Sequence, residues 1–386
     1  MPHYVKLGKI PPKRHTQFRK ENGQLYYEQL MGTKGFSGIQ SLIYHNHPPT
    51  RIKEVRKINE IVYEFEERDA VKHRHFRTWN TPAGGDFLEA RQIMLANEDI
   101  SIGIARPNKQ MPYYYRNGEG DELLFVHEGT GKVESIFGDL SFYPGDYIVI
   151  PIGTTYRISL ETKEARFLVV ESNSEIVPPK RYRNEHGQLL EHSPFCERDF
   201  RVPANLEPKD EQGEYEVRVR SQGLLTSYIY DFHPIDVVGW DGYLYPYAFS
   251  IHDFEPITGR IHQPPPVHQT FEAHNYVICS FVPRLYDYHP EAVPAPYVHS
   301  NVESDEVLYY ADGDFMSRRG IEEGSITVHP SGLPHGPHPG KMEESIGKKE
   351  TQELAVMIDT FRPLRVVKKA HEYEDPSYMY SWLPTT

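Results

Sequence analysis

The feature that most constrains this fold is an internal repeat of acidic and turn-forming residues. In the second half of the chain, Glu306 and Gly313 form a Glu-x6-Gly pattern, and Gly324 opens a Gly-x5-Pro-x-Gly pattern. The first half repeats both patterns, starting at Glu122 and Gly145. Because the turn residues recur in the same order, the repeat predicts two copies of one structural unit in tandem.

The segments between these turns are typical of β-strands. Short apolar runs such as DYIVIP and FLVVES are bounded by Gly, Pro and Asp. The 32 prolines and 27 tyrosines also favour strands joined by tight turns over helices. A chain of 386 residues is long enough for two units that each bury a core. We therefore predict an all-β protein.

Composition excludes several classes of function. The net charge of -13 and the isoelectric point near 5.9 argue against a surface for nucleic acid or an anionic membrane. Two cysteines are too few for a disulfide framework or a zinc ribbon. The N-terminal MPHYVKLGKIPPKR lacks the apolar stretch of a signal peptide, and no apolar run has the length of a membrane span. We expect a soluble, cytoplasmic protein.

The repeat and the composition together predict three segments. Residues 1–176 form an N-terminal arm and a first barrel, residues 177–235 form a connection, and residues 236–386 form a second barrel with a tail. The connection begins with a Pro-rich, charged stretch at 177–203, which is typical of chain running over a surface. The composition of the tail from Lys368 leaves open whether it packs or frays.

Three residues of the second unit form a candidate metal site: His299, Glu306 and His335. Their spacing, with Gly-x5-Pro-x-Gly-x2-His ending at His335, resembles the two ligand blocks of cupin barrels, with Asn301 where a second histidine often stands. The chain is therefore predicted to be a bicupin, two tandem jelly-roll barrels. Two imidazoles and one carboxylate leave an open face that suits non-haem Fe(II) and dioxygen, although spacing alone does not select among divalent ions.

The first copy lacks these ligands. Counting along the repeat, Asn117 stands where His299 stands, and Tyr156 replaces His335, which leaves Glu122 without nitrogen partners. Imidazole supplies much of the affinity for transition metals. The N-terminal barrel is therefore predicted to be free of metal and structural.

Two further histidines are candidates for roles beside the metal. His329, six residues before His335, has two interpretations: it orients Glu306 or a substrate from outside the ligand set, or it is an exposed histidine at a strand end. His262, in GRIHQPPPVHQTF, precedes three prolines that fix an extended loop. A rigid loop is a suitable mount for an acid-base histidine, whose pKa lies near the working pH.

Several segments resemble one family, homogentisate 1,2-dioxygenase, the bicupin Fe(II) enzyme of tyrosine and phenylalanine catabolism. The similar segments span residues from about 22 to 360 and include LYYEQLMG, RDFRVP, DVVGWDGYLYPYAF, PYVHSN and PHGP. The resemblance implies that His299, Glu306 and His335 bind Fe(II) and that His262 contacts the substrate hydroxyl. His329 matches a conserved histidine of the family six residues before the last ligand, and we count His329 and Tyr297 of PYVHSN as substrate-binding candidates. The resemblance also implies a homo-oligomer, a hexamer built from two trimers.

The chain departs from this family at positions that concern the substrate. Phe315 falls near the place of a family tyrosine that reaches the substrate, so we count it as a substrate-binding candidate. The interval from His299 to Glu306 is one residue longer than in the animal enzymes. An ordinary hydrogen bond lost with one phenol would weaken recognition by about 0.5–1.5 kcal/mol.

The expected activity is Fe(II)-dependent insertion of dioxygen into homogentisate to give maleylacetoacetate. The expected partners are a small aromatic substrate and O2. Two alternatives stay open from the sequence: a dioxygenase for gentisate or another substituted hydroquinone, and a non-catalytic metal-binding bicupin.

Overall fold

The structure is a computed structural model, which describes residues 3–295, 297–313, 315 and 320–383. The first half contains strands β1 (Val5–Gly8), β2 (Tyr27–Gly32), β3 (Gln40–His45), β4 (Glu54–Glu60), β5 (Arg74–Phe76), β6 (Arg91–Ala96), β7 (Ile100–Ala105), β8 (Tyr114–Asn117), β9 (Asp121–Glu128), β10 (Gly131–Ser135), β11 (Gly138–Phe142), β12 (Asp146–Ile150), β13 (Thr155–Leu160) and β14 (Arg166–Ser172).

The rest contains β15 (Phe200–Arg201), β16 (Gln212–Ser221), β17 (Leu224–Phe232), β18 (Val237–Gly242), β19 (Tyr247–Ser250), β20 (Gln269–Ala273), β21 (Tyr276–Phe281), β22 (Arg284–Leu285), β23 (Asp305–Asp312), β24 (Ile326–His329), β25 (Glu350–Thr351), β26 (Leu354–Thr360) and β27 (Arg365–Val366). Helix α1 spans Lys341–Ser345, and short 3-10 turns span Lys34–Phe36, Thr78–Asn80, Lys180–Tyr182, Glu197–Asp199, Ile251–Asp253, Pro265–His268, Lys368–Tyr373 and Tyr378–Tyr380. The prediction of an all-β bicupin is confirmed.

The first barrel is built from two sheets. Their strand orders are β11-β10-β13-β8-β16-β17-β4 and β15-β19-β12-β9-β14-β7-β6-β27. Val133 and Ile158 from the first sheet and Val126 and Phe167 from the second belong to one buried apolar cluster. Burial of these side chains, at about 25 cal/mol per Å² of apolar surface, holds the two sheets together.

A second, larger core lies between the two barrels. Alternate residues of a strand point to opposite faces, so β9 places Leu124 in the first barrel and Phe125 in the shared core. From the second barrel, Val307 and Tyr309 of β23 enter the same shared core. The other face of β23, which carries Glu306, is thereby turned into the second barrel.

The second barrel is organised on the sheet β20-β21-β26-β23-β24-β5. Within it, Glu306 is paired across β23 and β24 with His329, and across β23 and β26 with Asp359. Directly opposed residues of antiparallel strands point to the same face. The sheet therefore brings three polar side chains together inside the barrel.

Strands pass between the predicted segments. Strand β5 from the N-terminal arm pairs with β24 of the second barrel, and β27 near the C-terminus pairs with β6 of the first. Strands β16 and β17, within the predicted connection, extend a sheet of the first barrel. The boundaries at 176/177 and 235/236 stay a prediction, and sheet pairing crosses both.

The repeat is reproduced at the level of single hydrogen bonds. The N–H of Gly153 donates to the carbonyl of Asn117, and the N–H of Gly332 donates to the carbonyl of Asn301, each at 2.7 Å. Both glycines have positive φ, 81° and 77°, a conformation that side chains with a Cβ disfavour. This turn requirement explains why the Pro-x-Gly spacing recurs in both copies.

Within the described part of the chain, no helix has the length and apolar character needed to cross a membrane.

Candidate metal centre

His299, Glu306 and His335 lie together in the second barrel. One ligand atom from each falls within 4.8 Å of the others. The two histidines are joined by a pair of backbone hydrogen bonds of 2.8 Å in each direction, and their ring centroids are 4.4 Å apart. Glu306 faces both rings from β23, with Oε1 at 3.5 Å from Nε2 of His335 and Oε2 at 3.8 Å from Nε2 of His299.

The orientation of the His335 ring makes this group a fit for a cation. Its Nδ1 lies 3.0 Å from the carbonyl oxygen of Leu333, which can only accept, so Nδ1 carries the hydrogen. The lone pair of a neutral ring is then on Nε2, which is buried and has no hydrogen-bond partner among the described residues. This lone pair faces the Glu306 carboxylate, and two acceptors 3.5 Å apart are stabilised by a cation between them.

Glu306 stays ionised in this environment. Burial acts to raise the pKa of this carboxyl, but its interactions with the nearby imidazoles, led by His299 and His329, outweigh burial and hold the pKa well below its usual range. Among these groups, Nδ1 of His329 lies at hydrogen-bond distance from Oε1, 2.8 Å. The centre therefore offers one anionic oxygen ligand and two imidazoles.

His329 is fully buried, so the interpretation as an exposed strand-end residue is wrong. Its ring stacks on His335 with a centroid distance of 4.5 Å and an interplanar angle of 17°. While Nδ1 contacts Glu306, Nε2 lies 3.1 Å from the hydroxyl of Tyr378. His329 thus contacts the Glu306 carboxylate. Its contact with substrate stays a prediction.

His262 and Tyr297 lie on the exposed side of the centre. The Tyr297 ring contacts His262 at 5.1 Å and His299 at 5.8 Å between centroids. His262 is exposed, and its Nδ1 lies 3.5 Å from Oδ2 of Asp287. The prediction that the three prolines fix an extended loop is wrong for two of them, because Pro265 and Pro266 lie in a 3-10 turn, Pro265–His268, and only Pro264 is extended. The roles of His262 and Tyr297 toward substrate stay predictions.

Phe315 lies in an apolar cluster inside the second barrel. Its ring packs against Tyr310 at 4.7 Å between centroids, and Ala355 completes the buried part of the cluster. The hydroxyl of Tyr310 is 3.2 Å from Oγ1 of Thr327. A contact between Phe315 and substrate stays a prediction.

Several residues of the centre were missed by sequence reasoning. His73, from the N-terminal arm, lies 5.3 Å from His329, 5.8 Å from His335 and 5.2 Å from Trp382 between ring centroids. Its Nε2 is 3.1 Å from the carbonyl oxygen of Pro334. No local pattern links His73 to residues more than 250 positions away, so only the tertiary structure identifies it.

Asp359 was also missed, although its signal is visible in the sequence. It is an acidic residue inside the apolar strand LAVMIDT, and it stands opposite Glu306. Its Oδ1 is buried and has no hydrogen-bond partner in the described ranges. Burial, followed by the charge of Glu306, raises the pKa of Asp359 to about 7.

The equivalent place in the first barrel holds a fixed cation. Arg91 donates from Nη1 to Oε1 of Glu122 at 2.6 Å and to Oε1 of Glu171 at 2.8 Å, and from Nη2 to the hydroxyl of Tyr156 at 3.2 Å. Glu171 stands opposite Glu122 as Asp359 stands opposite Glu306. A guanidinium thus neutralises the carboxylates of the first barrel.

The prediction that Asn117 occupies the place of His299 is wrong. Tyr115 is the strand partner of Tyr156, as His299 is of His335, and Asn117 matches Asn301 through the shared turn. The prediction that Tyr156 occupies the place of His335 agrees with this pairing. At the positions of the three ligand candidates, the first copy therefore has two phenols, Tyr115 and Tyr156, and one carboxylate, Glu122.

Comparisons with known proteins point to one family. The family model described as homogentisate 1,2-dioxygenase N-terminal matches residues 7–251. A protein of Saccharolobus solfataricus named as a putative dioxygenase is 42% identical over 388 residues, covering 99% of both chains. Homogentisate 1,2-dioxygenase of Bradyrhizobium diazoefficiens is 28% identical over 307 residues, covering 74% of this chain and 67% of the relative. Among solved structures, Bacillus subtilis oxalate decarboxylase aligns over 76% of this chain and 78% of its own at 13% identity, with a TM-score of 0.35.

Proposed function

Because the chain belongs to the homogentisate 1,2-dioxygenase family, as an enzyme of the dioxygenase type, we propose that it cleaves the ring of homogentisate in an Fe(II)-dependent reaction that gives maleylacetoacetate. Both oxygen atoms of O2 enter the product, so the reaction consumes no external reductant. The closest rival substrate is gentisate or another substituted hydroquinone. This rival stays open because Phe315 falls near the place where the family has a tyrosine that reaches the substrate.

The observation that carries the proposal is the acceptor pair of His335 Nε2 and Glu306 Oε1, with His299 beside them. His299, Glu306 and His335 would hold Fe(II) through two nitrogens and one oxygen, the donor set that suits non-haem iron. When bound there, Fe(II) supplies the electron transfer between the aromatic ring and dioxygen. The ionised state of Glu306 supports this assignment, because metal ligands must be deprotonated.

Other side chains near the metal ligands bind the substrate and accept its proton. His262 accepts the proton of the substrate hydroxyl, and the nearby Asp287 carboxylate stabilises the imidazolium that results. Tyr297 contacts the substrate between His262 and His299, and Phe315 contributes an apolar contact from the barrel interior. His329 orients Glu306. By family resemblance, we extend the proposal to a homo-oligomer, a trimer or a hexamer.

The test is anaerobic purification with metal analysis, followed by oxygen uptake with homogentisate, gentisate and unsubstituted hydroquinone. We expect one Fe(II) per chain and the fastest uptake with homogentisate. Uptake with gentisate alone would refute the substrate assignment. A resident zinc ion and no uptake with any of the three would refute the dioxygenase and favour a metal-binding bicupin.

A matched pair of variants locates the reaction in one barrel. His335→Ala removes a ligand in the second barrel, and Tyr156→Phe alters the equivalent position of the first. We expect loss of iron and of oxygen uptake in the first variant and retention of both in the second.

A further inference from the structure

The C-terminal segment packs against the back of the candidate metal centre, which answers the question that its composition left open. Tyr378 is buried, with 3% of its surface exposed. Nε1–H of Trp382 donates to the carbonyl of Gly336 at 3.1 Å, and the Trp382 ring lies 4.6 Å from that of His338. These contacts hold the tail on the loop that follows the last ligand, His335.

A continuous chain of polar contacts runs from this tail to the metal-facing carboxylate. The Tyr378 hydroxyl lies 3.1 Å from Nε2 of His329, and Nδ1 of His329 lies 2.8 Å from Oε1 of Glu306. As a metal ligand Glu306 would be a carboxylate, which can only accept, so Nδ1 of His329 carries the hydrogen of this 2.8 Å contact. In the neutral ring, Nε2 then accepts from the Tyr378 hydroxyl.

We propose that Tyr378 is a positioning residue of the metal centre, acting through His329 to fix the orientation of Glu306. The inference rests on the proposed function, because it assigns a role toward the metal that His299, Glu306 and His335 would hold. The hydroxyl sets which ring nitrogen faces Glu306, and the stacking on His335 sets the plane of the ring. A ligand carboxylate held in this way is pre-oriented before the metal arrives.

The first barrel supplies an internal comparison. Ile150 stands opposite Glu122, as His329 stands opposite Glu306. At that position the barrel without metal ligands has an apolar side chain, and its carboxylate takes Arg91 and Tyr156 instead. The barrel that keeps the ligands is thus the one that has the histidine and the tail tyrosine behind its carboxylate. A purely structural role for the tail would not require this coincidence.

The test compares Tyr378→Phe with Tyr380→Phe, a change of the same kind at an exposed tyrosine of the same 3-10 turn. Anaerobic titrations of the metal-free variants with Fe(II) and with Co(II) give dissociation constants, and the visible Co(II) spectrum reports the ligand geometry. We expect binding about tenfold weaker and an altered spectrum in Tyr378→Phe, at the low end of the effect of outer-shell changes. Tyr380→Phe should match the wild-type protein.

A double variant separates positioning from general packing. In a His329→Ala background, Tyr378→Phe should cause no further loss of metal affinity, because its effect passes through the imidazole. Equal losses in both backgrounds, or wild-type affinity and spectrum in Tyr378→Phe, would overturn the inference.

The two proposals fail in different ways. If the wild-type protein binds metal and Tyr378→Phe weakens the binding, but no hydroquinone supports oxygen uptake, the proposed function fails and the positioning role stands. If the wild-type protein is active and Tyr378→Phe binds Fe(II) and Co(II) normally, the positioning role fails alone. A wild-type protein that binds neither ion overturns both.

Discussion

Removing the cation of the first barrel should destabilise the protein strongly. Arg91→Met keeps an unbranched side chain of comparable length but takes away the guanidinium that Glu122 and Glu171 share. Glu171 retains Arg220, whose Nη1 is 2.6 Å from its Oε2. Among the described residues, Glu122 retains only the Tyr156 hydroxyl at 2.6 Å and becomes a buried carboxylate without a counter-charge.

The magnitude follows from the burial of this pair. The side chain of Glu122 is 0% exposed and that of Arg91 is 8% exposed, so water cannot replace the lost partner. Breaking a buried ion pair from one side costs about 3–5 kcal/mol, because the remaining charge is uncompensated. We therefore expect Arg91→Met to lower the free energy of unfolding by about 3–5 kcal/mol.

The assay is urea unfolding of the metal-free protein, followed by tryptophan fluorescence and by far-ultraviolet circular dichroism. The control is the double variant Arg91→Met, Glu122→Gln, which removes the stranded charge and should recover at least about 2 kcal/mol of that loss. The folded fraction of the single and of the double variant should bind the same number of metal ions per chain as the wild-type protein. A loss below about 1 kcal/mol, or a double variant no more stable than the single one, would refute the reasoning.

Three further predictions concern single residues. Asp359→Asn should stabilise the metal-free protein by about 1–3 kcal/mol at pH 8 and little at pH 4. The reason is that a folded-state pKa of about 7 makes the free energy of unfolding fall as pH rises between about 4 and 7. Equal effects at both pH values in urea unfolding would contradict this. Burial, and then the charge of Arg166, lowers the pKa of His127 to about 4, so its contribution to stability is present above about pH 6.5 and is lost as pH falls toward 4. His127→Asn, whose amide oxygen can accept from the Tyr309 hydroxyl, should reduce that acid sensitivity in thermal unfolding measured between pH 4 and 7. Gly332→Ala should cost about 1–2 kcal/mol through its positive φ alone, because a Cβ there meets open space, and an unchanged melting temperature would argue against strain at this turn.

The part of the fold that the sequence predicts is the part set by turns and short apolar runs, two of which form the strands β12 and β14, buried on both faces. Gly153 and Gly332 adopt the left-handed conformation that only glycine enters easily, so their spacing marks the same turn in both barrels. The three ligand candidates came together because their strands are fixed by those turns. Counting back from each glutamate would also have matched Asn117 with Asn301 and identified Tyr115, since both asparagines precede their glutamate by five positions (122 − 117 = 306 − 301 = 5).

The rest depends on contacts between distant segments that carry no periodic pattern. His73 and Tyr378 reach the centre from the arm and the tail, and neither lies in a motif. Arg91 begins a strand whose remaining residues are mostly apolar, and nothing near it in the sequence indicates that it contacts Glu122 and Glu171. Such residues are selected by the charge and shape of a cavity that exists only after folding, so a single sequence does not identify them.

Because strands cross between the two barrels, neither half of the chain has a complete set of strands when it is expressed alone. A fragment ending before the connection would carry β5 without β24, and a fragment starting after it would leave β24 with an open edge. Exposed strand edges template association with other chains. Each half expressed alone should therefore aggregate, while the two halves produced together should complement one another, because each supplies the edge strand that the other lacks.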